Sequence, residues 1–142
     1  KDPSNNNLEY KRSRIREIIQ KLKEEKFNFK KIKLTISNLT KSNEVIEFYV
    51  NNNIDKNTIY YKKKFVILKY NFFLQPDEIV FRSFSKILTD VGSRYYPSRG
   101  KKILEMIHRI ASKNFSKATL SGCTIEKTKK LTIIYPESLK KL

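Results

Sequence analysis

The chain has few of the residues on which most catalytic and metal sites depend. It contains one cysteine, one histidine, three glycines and no tryptophan in 142 residues. A single cysteine excludes an internal disulfide, and no group of Cys and His is available to hold a metal ion. Three glycines are too few for a phosphate-binding loop. Cysteine usage of this kind suits a reducing compartment, and we expect a cytoplasmic protein.

Long apolar runs are also lacking. No stretch approaches the roughly 20 residues of a membrane-spanning helix, and none resembles a signal peptide. Apolar residues nevertheless make up 39% of the chain, and nine Phe and eight Tyr supply aromatic volume for a core. We therefore expect a folded protein with no membrane partner, built as one domain or two small subdomains.

Acidic residues are scarce relative to basic ones. The chain has 14 Asp and Glu against 31 Lys and Arg, a formal charge of +17. Such a field attracts polyanions. The charge is spread along the chain rather than concentrated in one amphipathic helix, which favours nucleic acid over a membrane surface.

Lysine excess has a second explanation. The 24 Lys, 12 Asn and 17 Ile are the composition that an AT-rich bacterial genome produces. Arginine is more informative, because its planar guanidinium makes bidentate contacts with phosphate that lysine does not reproduce. The arginines are Arg12, Arg14, Arg16, Arg82, Arg94, Arg99 and Arg109.

Apolar spacing predicts a helical N-terminal part. Residues 8–26 and 29–52 both show a period of three to four residues, with a local alternation at 32–36 that would also suit a strand. The predicted core positions of the two helices are Ile15, Ile18, Ile19, Leu22, Phe29, Ile32, Ile36, Leu39, Ile46 and Val50.

The rest of the chain mixes strands and helices. β-Branched and aromatic residues predict strands at 58–61 and 65–73, joined through the lysines at 62–64. A helix is predicted from Pro76 to Val91, with Gly92 as its stop, and another over 99–112 with Ser98 as its N-cap. Alternation predicts a small antiparallel meander at residues 118–120, 123–127 and 131–135.

The predicted fold class is therefore α+β, with a helical N-terminal part and then a small subdomain of helices packed on short antiparallel strands. The expected division is 1–56 and 57–142. In the second helix of the later part, the predicted inward side chains are Ile103, Leu104, Ile107, Ile110 and Ala111.

Few side chains suggest catalysis. Cys123 lies in an alternating segment, where core packing is the usual role, and His108 lies on a predicted helix. Aromatic residues at 60–61, 70 and 72–73 stand beside lysines, as in a platform for stacking single-stranded bases. Burial in a small sheet explains them equally well, and we prefer that interpretation.

Three arginines mark the start of the first helix. Arg12 and Arg16 are i,i+4 neighbours, while Arg14 lies nearly opposite. They form either a solvated face of a basic helix or an anion clamp beside the turn that contains Asp2 and Asn5.

Two separated segments carry a resemblance to a known family. The first is residues 2–5 (D-P-S-N), then Asn7, Tyr10 and residues 12–16 (R-S-R-I-R). The second begins with residues 91–92 (V-G) and 95–97 (Y-Y-P), and continues with 119–125 (T-L-S-G-C-T-I) and 136–137 (P-E).

In this order the segments resemble the tRNA(Ile)-lysidine synthase family of the PP-loop ATPase superfamily. The first is similar to the block that closes the catalytic N-terminal domain, D-P-S-N-x-D-x-x-F-x-R-x-R-I-R, with Asn7 where the family often has Asp and Ser13 where many members have Asn. The second is similar to the substrate-binding subdomain of the α-proteobacterial branch. The likeness is weakest over residues 29–75.

The resemblance implies an ATP-dependent carbon–nitrogen ligase that joins lysine to the wobble cytidine of tRNA(Ile). ATP and Mg²⁺ would be held by an upstream S-G-G-x-D-S loop, which this sequence does not contain. We therefore expect the chain to begin within a larger protein, to hold no catalytic residue or cofactor itself, and to be inactive alone. Without the catalytic domain, the apolar helices at 8–52 would favour a homodimer.

The resemblance also assigns roles to basic and polar residues. The edge of the active-site cleft would contain Asp2, Asn5, Arg12, Arg14 and Arg16. The tRNA would be contacted by Arg82, Arg94, Arg99, Lys101, Lys102 and Arg109. Two other functions stay open: a non-enzymatic basic RNA-binding or assembly module, and an interaction domain with no RNA role.

Overall fold

The protein has an α+β fold, as predicted. A computed structural model describes residues 11–25, 27–61, 65–93 and 98–138. The helices described are α1 (Lys11–Glu24), α2 (Phe29–Asn57), α3 (Asp77–Gly92) and α4 (Gly100–Ala111), with a 3₁₀ segment at Tyr70–Leu74. The strands are β1 (Thr58–Tyr61), β2 (Phe65–Lys69), β3 (Lys117–Leu120), β4 (Cys123–Thr128) and β5 (Leu131–Pro136).

The chain divides into two compact units, Lys1–Asn43 and Glu44–Leu142. The division falls inside α2, so the last turns of this helix belong to the second unit. The predicted boundary between residues 56 and 57 lies instead at the junction of α2 and β1. The assignment of 1–56 and 57–142 to separate functional domains stays a prediction.

In the first unit, the helical period was predicted correctly but the burial was not. The Asn28 side chain accepts a hydrogen bond from the Lys31 amide at 3.0 Å and so caps the start of α2. The apolar stripes are exposed, because a helix buries its stripe only where a second layer covers it. The exposed members are Ile15, Ile18, Ile19, Phe29, Ile32, Ile36 and Leu39.

The second unit is built on one antiparallel sheet with the strand order β1-β2-β5-β4-β3. The predicted hairpin and the predicted meander join here, because β2 pairs with β5. One row of paired residues crosses the sheet and forms the centre of its inner face: Val66, Ile134, Ile125 and Ala118. Three of these four side chains are fully buried and Ala118 packs against them.

The inner face of the sheet is covered by α3 and α4. α3 buries the residues that its spacing predicted, from Val80 and Phe84 to Val91. α4 buries Ile103 and Ile110 as predicted. Two predictions for α4 were wrong, since Leu104 and Ala111 are exposed, and Met106 is buried in their place.

The strand predicted over 65–73 ends early, at Lys69. Lys69 pairs with Leu131, which is the first residue of β5, and Leu68 pairs with Thr58, the first residue of β1. Beyond Lys69 neither neighbour offers a backbone to pair with, so the chain turns into the 3₁₀ segment. Within this segment, the Phe72 side chain is buried in the core.

Two predicted helix boundaries were also wrong in detail. Gly92 is the last residue of α3, and Ser93 adopts the left-handed conformation after it, with φ of 50°. Arg99 rather than Ser98 is the N-cap of α4, and no side chain caps this helix. The Ser98 hydroxyl is instead hydrogen bonded to the hydroxyl of Ser121.

Candidate nucleic-acid interface

The N-terminus of α4 combines a helix dipole with positive side chains. Ile103, Met106 and Ile110 face the core, which turns Lys101 and Lys102 towards solvent. The first turn contains no acidic residue. Positive charge at this end of a helix costs about 0.3–1 kcal/mol per residue, because it adds to the partial positive charge of the free amides. An anion is the ligand that such an end binds best.

Two further arginines extend this positive surface. Arg99 is exposed immediately before the helix, and Arg109 is exposed in its last turn. Arg109 follows Lys102 by seven residues, so both lie on the same side of the helix, ~10 Å apart along its axis. The Arg109 guanidinium lies 5.6 Å from the centre of the Phe115 ring. We name Arg99, Lys101, Lys102 and Arg109 the α4 basic face.

The α4 basic face has little compensating negative charge. Glu105 is the acidic residue of α4, and it lies between the two ends of the surface. Among the described residues, no carboxylate forms an ion pair with Arg99, Lys101 or Lys102. These three side chains are therefore available to an external anion.

Arg82, which was predicted to contact tRNA, is already paired. Its Nε donates to Glu78 Oε1 at 2.7 Å, and its Nη1 lies 3.4 Å from Glu47 Oε1. The hydrogen bond to Glu78 is the main cause that raises the pKa of Arg82 above its ordinary value. An RNA phosphate would have to compete with two carboxylates, so Arg82 is a weaker candidate than the α4 basic face.

Lys117 is paired in a similar way on the outer face of the sheet. Its Nζ lies 3.2 Å from Glu126 Oε2, and the Tyr135 hydroxyl donates to the same carboxylate oxygen at 3.2 Å. Hydrogen bonds with Tyr135 and Glu126 raise the pKa of Lys117. Lys117 therefore already has a carboxylate partner within the sheet.

The remaining predicted site residues fall elsewhere. Arg12, Arg14 and Arg16 are exposed on α1, in the first unit. Asp2, Asn5 and Arg94 lie outside the described residues. The structure thus gathers Arg99, Lys101, Lys102 and Arg109 on one helix and leaves Arg82 on another.

Several described residues of the second resemblance segment form a packing cluster, while residues 95–97 lie outside the described ranges. A methyl group on Gly92 would lie 2.2 Å from the Ser121 carbonyl oxygen and 3.1 Å from Cys123 Sγ. Glu137 donates its amide to the Gly122 carbonyl at 2.9 Å. Residues 91–92, 121–123 and 137 therefore meet where α3 packs against the β3–β4 turn. Their role here is structural, since they hold the helix against the sheet.

The structure favours core packing for Cys123. The thiol is fully buried and donates to the Leu88 carbonyl at 3.4 Å, whereas His108 is exposed on α4. In the part of the chain that the structure describes, no three His, Cys, Asp or Glu side chains form a metal-binding group. Over the same residues, no helix has both the length and the apolar character needed to cross a membrane.

A second basic feature was not predicted as a site. An open cleft of about 270 Å³ lies between the 3₁₀ segment, the end of α4 and the β4–β5 turn. Its lining residues are Tyr70, Phe73, Leu74, Ile110, Ala111, Lys127, Lys129, Lys130 and Thr132. The aromatic residues at 70 and 72–73, which follow Lys69, were the signal in the sequence, but the lysines that line the cleft come from a turn almost 60 residues later.

No family model matches the chain, and no curated protein is significantly similar to it.

Proposed function

We propose that the chain binds RNA through the α4 basic face. The observation that carries this proposal is the charge of the α4 N-terminus, where Lys101 and Lys102 occupy a first turn that usually favours acidic residues. Two cations in the first turn of α4 lower the stability of the fold, and they form a site for an anion. Phosphates of a folded RNA would bind the helix end, and Lys102 and Arg109 would follow the backbone further.

We also propose that this RNA is tRNA(Ile), and that the chain is the tRNA-binding part of a cytoplasmic tRNA(Ile)-lysidine synthase. The support is the resemblance of residues 2–16 and 91–137 to that family, together with a basic surface suited to phosphate. Within the proposal, Arg12, Arg14 and Arg16 lie beside the catalytic cleft of the longer enzyme.

We propose that ATP and Mg²⁺ are held by the catalytic domain of the longer enzyme and not by this chain. Gly92 packs against Ser121, Gly100 opens α4, and Gly122 lies in a hairpin turn with φ of 75°, so the glycines are dispersed and form no phosphate loop. The described residues also contain no group of three acidic ligands. We therefore assign both to the catalytic domain, and lysine transfer to that domain.

RNA binding is tested by fluorescence anisotropy with a tRNA(Ile) transcript. We expect the double variant Lys101→Gln/Lys102→Gln to bind about 10-fold more weakly. With fewer phosphate contacts, fewer counterions are released from the RNA on binding, and the affinity falls. The control is Lys56→Gln/Lys86→Gln, which removes the same charge from exposed positions on α2 and α3. It should change the affinity less than about twofold.

Equal losses in the two double variants would refute a specific role of the α4 basic face. No tRNA binding at low salt would refute the RNA proposal and favour an interaction domain. The proposal that the chain is part of a tRNA(Ile)-lysidine synthase is tested separately by the coding sequence upstream of Lys1. An S-G-G-x-D-S motif there supports the ligase, and an upstream sequence without it favours a non-enzymatic RNA-binding module.

A further inference from the structure

The 3₁₀ segment presents an aromatic and apolar wall to solvent. Tyr70 is 59% exposed and Leu74 is 60% exposed, although both are large side chains. The segment is held rigidly from behind: Phe72 is fully buried, and the Phe72 carbonyl accepts a hydrogen bond from the buried Asn53 side chain at 3.3 Å. The exposed wall is therefore a fixed surface and not the side of a loose loop.

The opposite wall of the cleft is positively charged. Lys129 and Lys130 form the two-residue turn between β4 and β5, since Thr128 pairs with Leu131. Lys129 has a φ of 44°, where glycine or asparagine is usually preferred. Among the described residues, neither lysine makes an ion pair or a side-chain hydrogen bond. Both ammonium groups can therefore reach an anion at the mouth of the cleft.

The floor of the cleft does not repel an anion. The C-terminal end of α4 lies here, and its free carbonyl groups carry partial negative charge. Lys127 Nζ donates to the carbonyls of Ile110 and Ser112, which compensates this charge. No carboxylate from the described ranges of the chain lines the cleft. The combination excludes a cationic ligand and suits one with a flat apolar part and a negative part.

We propose that this cleft binds one unpaired nucleotide of an RNA strand, with the base against Tyr70 and Leu74 and its phosphate on Lys129 and Lys130. The volume of about 270 Å³ lies at the small end of ligand sites, which fits a single base. Stacking of a base on an aromatic side chain contributes about 1–3 kcal/mol and tolerates any base. The inference extends the proposed RNA binding to a second site with a different substrate, a single strand.

The test uses fluorescein-labelled single-stranded RNA of about 20 nucleotides and a blunt RNA duplex of about ten base pairs, which carries about the same charge. Tyr70→Ala should weaken single-strand binding by about 5- to 100-fold and leave duplex binding unchanged. Tyr70→Phe should bind almost as the wild type does, because it keeps the ring. Lys129→Gln/Lys130→Gln should lower the salt dependence of single-strand binding by about one to two counterions.

Tyr49→Ala is the matched control, since Tyr49 is also an exposed tyrosine of the same unit, at 52% exposure. Thermal melting would verify that each variant is folded. Equal losses for Tyr49→Ala and Tyr70→Ala, an unchanged affinity in Tyr70→Ala, or equal losses on duplex and single strand would each overturn the proposal.

The two RNA proposals fail independently. Variants of the α4 basic face that leave tRNA binding unchanged would refute the first, while the Tyr70 series measures the cleft on a single strand. A single strand that binds with Tyr70-dependent affinity, beside a tRNA that does not bind, would support the cleft alone.

Discussion

Gly92 lies where α3 comes close to the β3–β4 turn. The absence of a side chain lets the Ser121 carbonyl oxygen approach to a position 2.2 Å from where a methyl group would be. Backbone atoms cannot yield as a flexible side chain does, so a larger residue must move the helix or the turn. From the sequence, Gly92 was interpreted as a helix stop, and its close approach depends on residues almost 30 positions away.

We predict that Gly92→Ala destabilises the protein by about 1–3 kcal/mol, because the added methyl overpacks a tight contact. Chemical denaturation gives the free energy of unfolding. Gly100→Ala is the control, since its methyl group would lie 3.5 Å from Phe81 Cζ, an ordinary contact. That variant should be neutral or more stable by up to about 1 kcal/mol. Equal effects of the two substitutions would contradict the packing argument.

α4 shows how far the sequence of a helix predicts which of its side chains are buried. Its apolar spacing predicted a helix and identified Ile103 and Ile110 as buried. It did not distinguish Met106 from Leu104 and Ala111, because the edges of an apolar stripe are decided by what packs beside them. The unusual feature of the element, cations in its first turn, already followed from the helix predicted over 99–112, and the structure moved the N-cap only from Ser98 to Arg99.

Charge reversal at the α4 N-terminus should stabilise the fold while it weakens RNA binding. We predict that Lys101→Glu/Lys102→Glu raises the free energy of unfolding at low salt by about 1–2 kcal/mol, because acidic side chains complement the helix dipole. Denaturant titrations at low and high salt would measure it, and salt should reduce the gain.

Arg109→Glu provides the opposite comparison in the same helix. It removes a cation from the last turn, where cations are favourable, and also its contact with Phe115. We expect it to destabilise the protein. Stabilisation by both changes would indicate relief of the general charge repulsion of the chain and would refute the dipole argument.

At the scale of the whole molecule, the net charge of +17 has two explanations, codon composition and a polyanionic partner. The structure distinguishes basic side chains by their partners. Arg82 and Lys117 are bound to carboxylates, whereas Arg99, Lys101 and Lys102 form no ion pair among the described residues. The second group, like Lys129 and Lys130, belongs to the part of the charge that a partner can use.

The α4 basic face predicts the salt dependence of tRNA binding. With up to four phosphate contacts, the logarithm of the association constant should fall with the logarithm of salt concentration with a slope of about −3. Anisotropy titrations between about 50 and 200 mM salt would measure the slope. A slope near zero would contradict phosphate binding, and a far steeper one would indicate that the charge of the whole chain takes part.

The sequence by itself determined most of the helices and strands of this protein, its α+β class and the positions of its basic residues, whereas the structure decided which of these residues are paired. The features that the sequence determined follow from residue period, turn residues and charge, which act over a few positions. Only the tertiary structure decided that the β1–β2 hairpin joins the meander in one sheet, that β2 ends at Lys69, and that the predicted stripes of α1 and the start of α2 remain exposed. It also decided that Tyr70 and Lys130 line one cleft. These outcomes depend on which distant residues supply a partner, and a local pattern does not contain that information.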